Sequence, residues 1–528
     1  MTNIKHRHLL PSVNHGLRQR RVILITVCIA LMAVIASVTG LNVAQPKLAV
    51  AFNASQRSIL WMINIYTISL AALLLPLGAI GDRWGRRRML LTGLVVFGMA
   101  CVASGLATTV TMMVAARFMS GVGAAMIMPV TLAVITSTFP DEERSKAIGV
   151  WTGVAGGGGI LGMYLSAVLV DLANWRWLFV LPVVLAIVVI MMTLQFIPDS
   201  REKAAHRFDM IGSLLSVTAI IGIVFALHEA PGQGWLAFTT LVGLITGIIG
   251  IVGFIVWELR QQGPLLDVRL FRERGLSSGS VSLLIVFGVQ AGILVVLFPY
   301  FQEVLGWSGL RSTLAMMPMA LLMMLASGLA PKVAAIIGNR FTMAAGVLLG
   351  GGGLMLMATL VSVDGGYLSI LPGMLAMGAG MGLTMTPSTE AVTSALPPAR
   401  QGVASALNDV TRELGTALGV ALLGALVTTG YSNAIDERLH EIPAGSAAAA
   451  REGIANAMAI AHSTGSSSKI LMRVARESFV EGWQQAMWVG ATVMAVLFVY
   501  ILVRGPRSYK AGHRTTMAVS HVMSEDLV

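Results

Sequence analysis

The sequence predicts an all-α integral membrane protein of fourteen transmembrane helices, arranged as two six-helix bundles with two helices inserted between them. Three observations predict it. Only 12% of the 528 residues are charged, about half the share found in an ordinary soluble domain. Apolar runs recur along almost the whole chain, each near the roughly 20 residues that a helix needs to cross about 30 Å of hydrocarbon. Two charge-dense linkers, PDSREKAAHRFD at 198–209 and ELRQQGPLLDVRLFRERG at 258–275, divide those runs into six, two and six, the pattern of two repeated bundles about a central cavity. The expected divisions are 1–207 (N-terminal bundle), 208–275 (insert) and 276–528 (C-terminal bundle with an outer loop at 429–481 and a tail).

Span one, near 22–45, follows the basic start KHRHLLPSVNHGLRQRR. It exceeds the 7–15 apolar residues of a signal peptide and no A-x-A site follows, so it is read as uncleaved. Span two (59–80) ends in a glycine- and arginine-rich turn. Spans three (89–107) and four (112–137) follow, the latter containing Arg117. Span five (147–170) carries a run of four glycines at 156–159, and span six (177–198) closes the first bundle. The insert comprises spans seven (210–229) and eight (237–257). The second bundle runs through spans nine (277–299), ten (312–335), eleven (342–362), twelve (368–392), thirteen (403–428) and fourteen (482–503).

The net charge of +11 raises the question of a nucleic-acid partner. Most Lys and Arg, however, fall in the tails and in alternate loops, which is the mark of cytoplasmic segments. Both termini are therefore expected in the cytoplasm, and the bilayer, not a polyanion, is the expected surround. Cys28 and Cys101 both fall within spans and read as small packing residues, not a disulfide or metal pair. No G-x-x-x-x-G-K-[ST] or HExxH stretch occurs, so neither nucleotide hydrolysis nor an enzyme is expected.

Two stretches carry chemistry. In GAIGDRWGRRRM, Gly78, Gly81 and Gly85 suit a tight turn between helices, and Asp82 can offer its charge to a facing helix N-terminus. Arg83, Arg86, Arg87 and Arg88 lie where cytoplasmic cations belong. The second stretch, NDVTRELG, sets Asp409, Arg412 and Glu413 inside an otherwise apolar run. With span thirteen entering near Gly402, the helical rise puts Asp409 about 10 Å and Glu413 about 16 Å into the membrane. Arg412 can neutralise one acid but not both. A carboxyl group in low dielectric favours its neutral form, so the surplus acid can alternate between holding a proton and holding a cation. A fixed ion-pair network that braces helices is the alternative.

These stretches resemble known ones. GxxxDRWGRRR is similar to the loop 2–3 signature of the major facilitator superfamily, and RFMSGVGAAMIMP (117–129) resembles its fourth-span signature. FPDEERSKAIGVW, the WRW at 175–177, FDMIG at 208–212, PLLDVRLF at 264–271 and GVASALNDVTRELGTALGVALLG at 402–424 resemble the fourteen-span drug:proton antiporter branch. The resemblance implies a proton-driven exporter of amphipathic small molecules in a bacterial inner membrane. It also implies proton coupling and helix contact through Arg117, with a purely structural ion pair or carbonyl contact as the alternative, and no cofactor beyond the proton itself; the loop 2–3 stretch reads as a latch for a closed inner gate or, alternatively, as a topogenic basic turn. A monomer suffices for such an architecture. The alternatives are a proton-independent facilitator or flippase for a lipid or biosynthetic product, and a non-transporting sensor.

The chain departs from the family pattern in ways that bear on substrate. Acids that relatives exporting quaternary ammonium compounds carry in spans one, two and ten are replaced by Ser37, Asn64 and Met323, and the span-five signature Gly-Pro-x-x-Gly-Gly stands here as Gly162 to Ala167 without its proline. Fewer carboxylates favour monovalent, zwitterionic or neutral amphiphiles over divalent cations. Asn42, Asn64, Tyr66 and Gln290 are candidate cavity-lining groups. Trp61 and Tyr300 read as interface anchors, and the methionines of MMPMALLMML (316–325) as lipid-facing packing. Glu390, near the inner end of span twelve, reads equally as a gate residue or a solvated helix end.

Overall fold

A computed structural model describes residues 16–198, 208–438, 450–461 and 468–506. The basic start through His15, most of the 198–209 linker, and the GSSS run through Ser467 lie outside the described residues. Fourteen helices are long and apolar enough to cross a membrane, in the expected order. Among the described residues there is no strand. An even number of spans returns the chain to the face where it began, and we call that face, which carries the arginine-rich loop 2–3, the inner one.

Span one is Leu17–Phe52 and span two Gln56–Trp84, with Ser55 accepting the Ser58 N–H as its N-cap. Gly85, at φ +109°, turns the chain directly into span three, Arg86–Gly105. A side chain is strained in that backbone conformation, so glycine is required there. Span four (Val110–Thr138), span five (Asp141–Leu172) and span six (Val180–Phe196, entered by the 3-10 turn Trp175–Phe179) complete the first bundle. The second bundle comprises spans nine (Arg274–Pro299), ten (Gly309–Ile337, with a break near Met316), eleven (Asn339–Leu360), twelve (Gly366–Ser394), thirteen (Gln401–Glu437) and fourteen (Ser468–Arg504).

The inserted spans seven (Met210–Gln233) and eight (Phe238–Arg260) pair through small residues. A Cβ on Gly222 would lie 2.6 Å from the Gly247 Cα, and one on Gly250 2.6 Å from the Ala219 N. Such contacts let two helices approach closely where no hydrophobic effect drives them together. Span seven also packs against spans two and thirteen, while the other face of span eight, with Ile249 65% exposed, is left for lipid. The FDMIG and PLLDVRLF motifs form the inner clasp of this insert. Asp209 accepts from the Gly212 N–H and from the Trp257 Nε1, and Arg400, just before span thirteen, donates to the Pro264 carbonyl.

Two expectations are corrected. The segment 429–481 is not one long loop: span thirteen continues to Glu437, and span fourteen begins fourteen residues earlier than its apolar run, at Ser468. An ion pair Arg438–Glu481 at 3.0 Å ties these extensions together, Arg451–Asp436 at 2.6 Å joins the segment between them to span thirteen, and a short helix, Ile454–Ala461, lies against span fourteen. Nor is the methionine run lipid-facing. Met316, Met319 and Met323 are fully buried, and Leu321 and Leu325 take the lipid side.

Candidate functional site

Two surfaces join the bundles, spans two and four against thirteen and span five against ten and twelve. At the inner end of the first, Asp82 accepts the Gly402 N–H at 2.8 Å and the Val403 N–H at 3.2 Å. It thereby caps span thirteen from the other bundle, supplying an anion to the positive end of a helix whose first N–H groups have no partner of their own. Arg86 donates to Asp82 at 3.3 Å and to the Pro398 carbonyl at 3.4 Å. Gly78 permits this approach, since a Cβ there would lie 2.6 Å from the Gly402 carbonyl oxygen. Gly81 faces Met89 and Val130 at ordinary contact distance. Arg83 is exposed, and Arg87 donates to the Leu194 carbonyl at the end of span six.

At the second surface the Ser145 hydroxyl donates to the Glu390 carboxylate at 2.6 Å, and Thr152 and Thr386 share a hydrogen bond of 2.7 Å. Glu390 is thus an inter-bundle contact, which hydropathy alone could not decide. Deeper along span five, three of its four glycines, Gly156, Gly157 and Gly158, receive methionine side chains. A Cβ on Gly156 would stand 3.0 Å from the Met323 Sδ and 3.2 Å from the Met385 Cε, and one on Gly158 3.0 Å from the Met32 Sδ. Sequence reading missed this slot, whose signal was the coincidence of a glycine run with methionine-rich spans. Unbranched, polarizable methionine adapts to varied apolar shapes.

The charged residues form two groups. On span thirteen, Arg412 pairs with Asp409 at 3.3 Å, and its guanidinium carbon lies 4.5 Å from the centre of the Phe287 ring and 5.4 Å from that of Trp151. Asn408 also donates to Asp409, whose second carboxylate oxygen is buried without a partner. Glu413 is half-buried and makes no hydrogen bond or ion pair among the described residues. On span four, Arg117 is fully buried. It donates to the Ser37 hydroxyl at 2.8 Å, stacks 4.3 Å above the Tyr66 ring, and leaves its Nε and one terminal nitrogen unpaired. Among the described residues no carboxylate makes an ion pair with it; Ser37 stands where the resemblance leads one to expect an acid.

The remaining candidates disperse. Tyr66 belongs to the Arg117 group and donates to the Val34 carbonyl. Gln290 is buried and donates to the Met323 sulfur. Asn64 does not join the charged groups; it lines a crevice between spans two and seven with Trp61, which packs 6.0 Å from Phe225. Tyr300 is no interface anchor either, being fully buried beside Trp483 with its hydroxyl donating to the Ser362 carbonyl. The Asn42 side chain lies outside the described residues.

A sequence model described as "Major Facilitator Superfamily" matches residues 27–420. The chain belongs to the Major Facilitator Superfamily. Like the other members of that family it is a membrane transporter and not an enzyme. Among its relatives, the Mycobacterium tuberculosis "Multidrug resistance protein Stp" is 29% identical over 87% of each chain. The Streptomyces glaucescens "Tetracenomycin C resistance and export protein" is 30% identical over 90% of this chain and 89% of its own length. Solved major facilitator structures share the fold at 15% identity: the proton:xylose symporter XylE (TM-score 0.59, covering 93% of this chain and 97% of that one) and the human organic anion transporter MFSD10 (0.58, covering 90% and 99%).

Proposed function

We propose that the protein is a proton-driven exporter of amphipathic drugs or biocides, in which Glu413 alternately holds a proton and a cationic or polar substrate group. The observation that carries this is the division of labour on span thirteen. Arg412 is committed to Asp409, so among the described residues Glu413 remains as a deep carboxyl with no hydrogen-bond or ion-pair partner of its own. An ionisable group left unpaired within a membrane span is expensive, and function is the default reason for keeping one. The methionine slot on span five supplies an adaptable apolar surface, and relatives named for multidrug resistance and antibiotic export support the substrate class. In the bacterial inner membrane a proton entering across 100 mV contributes about 2.3 kcal/mol, which requires no nucleotide.

The joined inner ends correspond to the state with the inner gate shut. With one surplus carboxylate, monocations are favoured over dications. The test is efflux of a monocationic dye from liposomes under an inward proton gradient. Wild-type efflux should require the gradient, and Glu413→Gln should abolish that requirement while the protein stays folded. Gradient-independent wild-type transport would instead indicate a facilitator or flippase, the reading favoured by Ser37 and Asn64 standing in place of acids in spans one and two.

A further inference from the structure

We propose that the crevice between span two and the inserted span seven is a hydrated proton port to Glu413, with His228 as its relay. The inference rests on the proton-coupled reading above. The crevice encloses a cavity of about 40 Å³, lined among others by Trp61, Asn64, Ile68, Phe225 and His228. A site of that volume excludes any drug-sized molecule but holds about three waters, which need polar partners of the kind that Asn64 and His228 provide. At its mouth Arg57 reaches Glu229 at 3.8 Å, with Arg57 66% exposed.

The other end of the crevice reaches the depth of Glu413. Measured from the close contact of Gly78 with Gly402, Ile68 lies ten residues outward on span two and Glu413 eleven outward on span thirteen, or about 15 Å and about 16 Å. The direction also agrees. Glu413 shares one helical stripe with Ala417 and Ala421, four and eight residues on, and those two alanines pack against Leu227 of span seven, with Ile223 beside it. Span seven therefore borders both the crevice and the stripe on which Glu413 stands.

His228 is the one histidine among the described residues, and histidine is the side chain whose charge changes most readily near neutral pH. The charged groups facing it are Arg57 and Glu229. Span thirteen contributes alanine and leucine there, and span eight meets span seven through glycines. A proton from the outer solution is taken up on the free imidazole nitrogen, the other nitrogen releases one to water, and the Glu413 carboxylate receives it. No bond other than to hydrogen is made or broken.

The test uses the full chain in liposomes. Gradient-driven dye efflux by the wild type, and its loss in Glu413→Gln, comes first; a wild type that ignores the gradient overturns both the exporter reading and the port. Given coupling, His228→Gln should slow gradient-driven efflux at least about tenfold and flatten its dependence on outer pH, with dye affinity unchanged. In parallel, Asn64→Cys should react with a membrane-impermeant thiol reagent added outside, above the wild-type background from Cys28 and Cys101. A coupled His228→Gln with a wild-type pH profile, equal losses at every pH accompanied by weaker dye binding, or an unreactive Asn64→Cys would each overturn the port and leave the exporter reading standing.

Discussion

Arg412 has two acids within reach along its own helix, three residues back and one residue ahead, and its guanidinium is held against Asp409 by the Phe287 and Trp151 rings. Removing that cation leaves a fully buried carboxyl unpaired, a change that typically costs about 3–5 kcal/mol. Arg412→Met should therefore lower the Tm of the detergent-purified protein, and adding Asp409→Asn should restore most of it. A double variant no more stable than the single one would mean that the pair is not what the rings organise. Glu413→Gln should leave Tm within about a degree of wild type, because no hydrogen bond is lost, while removing gradient dependence. The sequence displayed all three charges and their depth. It could not show which acid takes the arginine, since that depends on aromatic rings brought from spans five and nine.

At the scale of helices, glycines with the same local signal serve different purposes. Gly78 and Gly402 meet backbone to backbone, and nothing there can yield to a side chain. Gly156 meets only the ends of methionine side chains, which can swing aside. Gly78→Ala should thus hold the inner ends apart, seen as weaker cross-linking of cysteines placed across spans two and thirteen, with transport lost. Gly156→Ala should fold and transport, with altered preference among dyes of different bulk. Asp82→Asn keeps the shape of the cap but removes its charge. A loss of about 1 kcal/mol in a helix-terminal interaction should move the inner gate several-fold toward open, measurable by inner-side labelling of a cysteine at Thr386. The outer extension of span fourteen reads as loop because it carries Arg473, Glu477 and Glu481; the ion pair Arg438–Glu481, invisible to hydropathy, joins it to span thirteen.

For the whole molecule, the fourteen spans and their grouping were legible because crossing hydrocarbon imposes a length and an apolar composition on each. Which faces look inward was not, because lipid and protein core are equally apolar: hence the mistaken outward placing of the span-ten methionines. The docking of the insert was likewise hidden, and with it the position of Asn64. The bundles are joined at their inner ends by a carboxylate that grips main-chain N–H groups, and this gives the gate an uneven vulnerability to mutation. Side-chain replacement at 402 or 403 cannot delete a donor, apart from proline, which lacks the N–H and is still tolerated in the first turn of a helix. Natural variation can therefore retune the latch freely from the span-two side, through Asp82 and Arg86, while the span-thirteen side offers only the size of the residue at 402. The timing of the gate is inherited mainly from one half of the protein.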